Sequence, residues 1–89
     1  MFRLNGPIFF RNENSIRVIG EGKQTFINPR YIESVSVTKG TDTITVVFTT
    51  MNDGKYSFIT SVVADAEGKH ATVNDAYDSL VGHIHGMFK

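Results

Sequence analysis

Eighty-nine residues, no cysteine and 9 basic against 9 acidic side chains describe one small domain over 1–89, without a disulfide framework, a thiolate nucleophile or a cysteine-bound metal. The zero formal charge argues against a polyanion binder that works by bulk charge. No run approaches the roughly 18–20 apolar residues that cross a bilayer, and the opening MFRLNGPIFF is broken by Arg3, Asn5, Gly6 and Pro7, unlike a signal peptide. The expectation is a cytoplasmic chain with no membrane partner, or a virion-associated one if it comes from a phage.

The 9 Val, 8 Ile and 9 Thr fall mostly before residue 64, and β-branched side chains suit a pleated, half-buried surface. In chain order the reading is strand Pro7–Arg11, turn Asn12–Ser15, strand Ile16–Ile19, turn Gly20–Lys23 and strand Gln24–Asn28. Asn28-Pro29-Arg30 then turns the chain, because proline presets the backbone angle there. Strand Tyr31–Thr38 follows, then a turn at Lys39–Asp42 and strand Thr43–Met51. Asn52-Asp53-Gly54 is the strongest hairpin signal, since Asp-Gly accepts positive φ angles. Strand Lys55–Val62 ends the series. Alternation puts Ile44, Val46 and Phe48 on one face, with Tyr56, Phe58 and Val62 in line, and leaves Thr43, Thr45, Thr49, Ser57 and Ser61 on the other.

After a connection over 63–71, apolar residues Val73, Ala76, Tyr77, Leu80, Val81, Ile84, Met87 and Phe88 recur at steps of three and four. This spacing predicts a helix over about 73–88 that covers the sheet. Thr72 with Asp75 three places on forms a capping-box pattern at its start. The fold class read from the chain is therefore α+β: a curved antiparallel meander of five or six strands capped by one C-terminal amphipathic helix. A partly open barrel and a pleckstrin-homology-like roll stay open as versions of that plan.

Catalytic chemistry finds little to work with. His83 and His85 lie about 200° apart on a helix and cannot converge on one metal, His70 has no acidic partner at ligand spacing, and two histidines flanking an apolar stripe is the plainer reading. There is no G-x-S-x-G, and Gly20-x-Gly22 lacks the context of a phosphate loop. No catalytic residue, metal or cofactor is expected.

Charge is more informative by halves. Residues 1–40 carry six basic and three acidic side chains, and residues 41–89 carry three basic and six acidic, so a +3 half precedes a −3 half. Opposed halves suit self-association, and a homo-oligomer is the favoured expectation, with any other protein partner unidentified. Arg3, Arg11, Arg17 and Arg30 mark the alternative, a nucleic-acid-binding side. Phe9-Phe10-Arg11 adds aromatics beside a cation, one ring for the core and the other for an interface. On the helix, Asp75, Ser79, Gly82 and Gly86 fall within about 60° of one another, opposite the apolar stripe. Small residues there would let another backbone approach, which makes this a candidate interface.

The segment over 24–62 carries TFINPRYIESVSV, TDTITV and DGKYSFITSV, with a short amphipathic helix following. Through Phe26, Asn28, Pro29, Ile32, Val35, Asp42, Gly54 and Lys55 it resembles the small FlbD-like flagellar proteins. The chain differs from them in two additional N-terminal strands, an inserted loop at 63–71 and the lack of a charged helix. The resemblance implies a non-enzymatic accessory protein and brings no catalytic residues. The sequence thus points to a small non-catalytic interaction or assembly protein of bacterial or phage type.

Overall fold

The computed structural model describes residues 2–20, 22–52, 54–64 and 73–88. Among them are seven strands and one helix: β1 Phe2–Asn5, β2 Ile8–Arg11, β3 Ile16–Gly20, β4 Lys23–Ile27, β5 Ile32–Lys39, β6 Thr43–Thr50, β7 Lys55–Ala64 and α1 Val73–Gly86. The α+β class holds, but the strands do not form one meander. They form a four-stranded sheet, β1-β7-β6-β5, and a three-stranded sheet, β2-β3-β4, antiparallel throughout. No ladder joins β4 to β5 among the described residues, so the sheets do not close into a barrel.

The expected meander parts at the Pro29–Tyr31 turn between β4 and β5, and Gly6-Pro7 is where an additional first strand crosses from one sheet to the other. Phe2–Asn5 pairs with β7, from Phe2 opposite Ala64 to Asn5 opposite Ser61. Proline has no N–H to continue that ladder, and at the next residue, Ile8, the chain enters the other sheet as β2. The corner is tight: a Cβ built on Gly6 would lie 2.9 Å from Thr60 Cα and 3.0 Å from its Oγ1. Glycine is needed there for close approach, not for an unusual backbone angle.

Most turns fall where the chain chemistry places them. Asn28 caps a 3₁₀ turn over Pro29–Tyr31, its Oδ1 accepting from the Arg30 N–H at 3.0 Å. The β6–β7 hairpin forms around residues 50–54, with Thr50 N–H donating to the Gly54 carbonyl at 2.8 Å. Gly54 does not supply the positive φ expected of it; among the described glycines that role belongs to Gly22, at φ 75° in the β3–β4 turn. The hydroxyl of Thr50 stabilises the wider hairpin instead, bonding both the N–H and the carbonyl of Gly54. The helix ends at Gly86 rather than 88, and Thr72 of the capping pattern lies outside the described residues.

The core lies between the two sheets and α1. Phe9, Ile16, Val18 and Ile27 enter from the smaller sheet, Ile44, Val46 and Phe48 from β6, and Ala76, Leu80, Ile84 and Met87 from the C-terminal segment. α1 packs on β5 and β6, and Val35 and Val37 of β5 pack against the core as partly buried neighbours. Phe9, Phe48 and Phe58 form an aromatic cluster, with centroids 5.6–6.2 Å apart and two of the three pairs edge-on. Such pairs are favourable beyond their buried area. Phe9 ties the smaller sheet to the larger one through its contacts with Phe48 and Phe58.

Candidate functional site

Strand alternation that buries Phe9, Ile16, Val18 and Ile27 sends their neighbours to the opposite face of β2-β3-β4. Register then aligns them in two rows. Phe10 faces Arg17, and Arg17 faces Phe26; Ile8 faces Ile19, and Ile19 faces Gln24. The Arg17 guanidinium lies 5.3 Å from the centroids of both the Phe10 and Phe26 rings. Its Nε and Nη2 donate to Gln24 Oε1 at 3.1 and 2.6 Å. Each cation–ring contact contributes about 0.5–1 kcal/mol at an exposed site, and the amide fixes the guanidinium in place. The result is an ordered, solvent-facing apolar surface, with Ile8 63% and Phe26 60% exposed and Arg17 as its one charge.

The four arginines read from the sequence do not line one track. Arg17 stands on this outer face. Arg11 has the opposite parity in β2, and its Nη1 donates to the Met87 carbonyl at 3.0 Å, just beyond the end of α1. A cation suits the carbonyl end of a helix, so Arg11 holds the C-terminal segment to the smaller sheet. Arg30 sits in the 3₁₀ turn and shares with Arg11 a cleft of about 550 Å³ that also includes Glu13, Asn14, Asn28 and Phe88. Arg3 is placed in β1, opposite Val63. A second open cleft, about 580 Å³, lies at the Gly6-Pro7 corner between Val18, Lys23, Thr25 and Phe58.

On α1, Asp75, Ser79, Gly82 and Gly86 are all exposed, and a Cβ on either glycine would meet nothing within 4 Å. Gly82, inside the helix, costs about 0.8–1 kcal/mol relative to alanine, and no described neighbour lies close enough to require it; Gly86 is the last helical residue, where glycine is common. His83 is bonded to the Phe9 carbonyl through Nε2; a carbonyl only accepts, so Nε2 carries the proton. His85 is exposed, and His70 lies outside the described residues. Among the described residues no three His, Asp or Glu side chains are placed to hold a metal ion, and no helix is long and apolar enough to cross a membrane.

Sequence reasoning singled out Arg17 for its charge and Phe10 for its neighbours, but not Ile8, Ile19 or Gln24. The signal was present in the short Gly20–Lys23 turn, which fixes the β3–β4 register and brings Phe26 opposite Arg17. Comparison of the chain with protein-family models, with curated proteins and with solved structures finds no match.

Proposed function

We propose that this chain is a small, non-catalytic assembly protein of bacterial or phage type that associates with itself through the outer face of β2-β3-β4. The observation that carries the reading is the Phe10–Arg17–Phe26 row, with Phe26 exposed and Phe10 and Arg17 half-buried, and exposed Ile8 and half-buried Ile19 beside it. Aromatic and arginine side chains are the types enriched where proteins bind proteins, and a contiguous exposed apolar surface of this kind marks an interaction site. The likeness to FlbD-like accessory proteins points the same way. A roll of the two sheets about the Gly6-Pro7 corner, of the pleckstrin-homology-like kind, is the fold version this reading adopts, with the assembly in the cytoplasm or a virion.

A second reading draws on the same rings. Single-stranded nucleic acid stacks on exposed aromatics beside cations, and Phe10 and Phe26 flank one. Against it, the guanidinium faces are already covered by those rings, and Arg11 is committed to the Met87 carbonyl. Light scattering on a size-exclusion column, at low and high salt, with and without a labelled oligonucleotide, separates the two. Assembly predicts a mass above 9.9 kDa that rises with concentration. Monomer at all concentrations, with salt-sensitive oligonucleotide retention, would replace it with the second reading.

A further inference from the structure

We propose that residues 55–59 of β7 are a receiving edge for an extended, acidic peptide segment of another protein, which adds to the larger sheet as a strand where β1 leaves off. Backbone register sets this edge. Thr50 N–H donates to the Gly54 carbonyl and Val62 N–H to the Asp42 carbonyl. Even-numbered residues of β7 therefore bond toward β6, and odd-numbered ones direct N–H and C=O to the other side. There β1 faces Ser61 and Val63 and ends at Asn5. The next such position in its register, opposite Ile59, is Pro7, which has no N–H to give. Among the described residues no strand runs beside Lys55, Ser57 or Ile59 on that side, and none of the three makes a backbone hydrogen bond there.

Proteins usually blunt a free edge with a bulge, a charge or a cover. The edge of β5 is blunted: a bulge shifts its register between Ile32 and Ser34, and Lys39 at its end is docked on Asn74. Residues 55–59 pair with β6 in unbroken register, and only Lys55, at the outer end, is charged.

The cleft beside this edge selects the occupant. About 580 Å³ of open space at the Gly6-Pro7 corner borders Phe58 and Ile59, with Val18 and Phe58 as its apolar floor. Opposite lies the end of β3-β4, where Val18 pairs with Thr25 and Gly20 with Lys23. Parity puts Gly20, Lys23 and Thr25 on the same face as buried Val18, so that face turns from apolar to polar inside the cleft. Lys23 is the single charge lining it among the described residues. An added strand directs alternate side chains to each face, its main chain giving affinity and those side chains specificity. One entering beside Phe58 needs an apolar stem over Val18 and an anionic end for Lys23, and glutamate combines the two. Its neighbour meets Ile59, 61% exposed on the outer face, and is best apolar. This edge is separate from the β2-β3-β4 face, and neither reading rests on the other.

The probe is the peptide acetyl-Val-Glu-Thr-Val-Thr-amide, titrated into isotope-labelled protein followed by amide NMR. Lying antiparallel to β7, as β1 does, it turns its first, third and fifth amides to β7 and its second and fourth side chains to the cleft. Ser57, Ile59, Val18 and Lys23 should shift, with half-saturation at about 0.1–1 mM peptide. N-methylation of the third residue should weaken binding at least about ten-fold, and of the fourth less than about two-fold. Lys23→Glu, or lysine in place of the peptide's glutamate, should each weaken it about three- to ten-fold, and the two together should recover it. Ser57→Pro removes an outward N–H and spares the β6 ladder, so it should bind weakly with an unchanged circular dichroism spectrum. If that variant does not fold, the methylated peptides carry the same test. Shifts on Val35 and Val37 instead, equal effects of the two methylations, or no shift by about 5 mM peptide would overturn the proposal. The same resonances moving with protein concentration alone would overturn the foreign peptide in favour of a second copy.

Discussion

Thr60 is buried to 1% exposure, and its hydroxyl has no partner among the described residues. A buried, unsatisfied polar group costs about 1–3 kcal/mol. Thr60→Val keeps the shape and removes the hydroxyl, so it should raise the unfolding free energy by about 1 kcal/mol in urea titration; destabilisation would mean that the oxygen is satisfied. Across from it, Gly6→Ala should lower stability by about 1–3 kcal/mol in the same assay, because the new methyl meets backbone at 2.9 Å. Neither effect was legible in the sequence. Thr60 reads as one more strand threonine, and Gly6 as a terminal irregularity, until β1 is paired with β7. The burial of Ile44, Val46 and Phe48, by contrast, followed from alternation alone, since a strand has one inward face and these share it.

At the scale of elements, local chemistry located most boundaries and missed the partners. The Asn28 cap, the β6–β7 hairpin and the apolar stripe of α1 are short-range signals, and each formed where its residues implied. β1 did not announce itself: four residues before Gly-Pro carry little pattern, and the strand exists because β7 offers it an edge sixty residues later. That pairing adds a strand to the larger sheet, while the expected meander parts between β4 and β5, which do not pair. The C-terminal end of α1 is likewise held from afar. Arg11→Ala removes the bond to the Met87 carbonyl and should cost about 1 kcal/mol, with amide exchange speeding up over residues 84–88 before the sheets. Uniform loss of protection across β6 and β7 instead would show that Arg11 supports the whole fold rather than this end.

At the scale of the whole molecule, the charges of the two halves of the sequence fall on different elements. The outer face of the smaller sheet displays one cation among apolar side chains, and α1, bonded to β2 through His83 and, just past its end, through Arg11, carries Asp75 and Asp78. The charge asymmetry was visible in the sequence, as was the polar helix face. The sheet surface was not, because it depends on the register that aligns Phe10, Arg17 and Phe26. The most direct test of assembly through that surface is sedimentation equilibrium of wild type beside the Ile8→Ser/Phe26→Ser double variant. Both residues are more than half exposed, so the variant should melt within a few degrees of wild type. The account predicts a weight-average mass that climbs with concentration for wild type and stays monomeric for the variant. Equal masses for the two proteins at every concentration would contradict it.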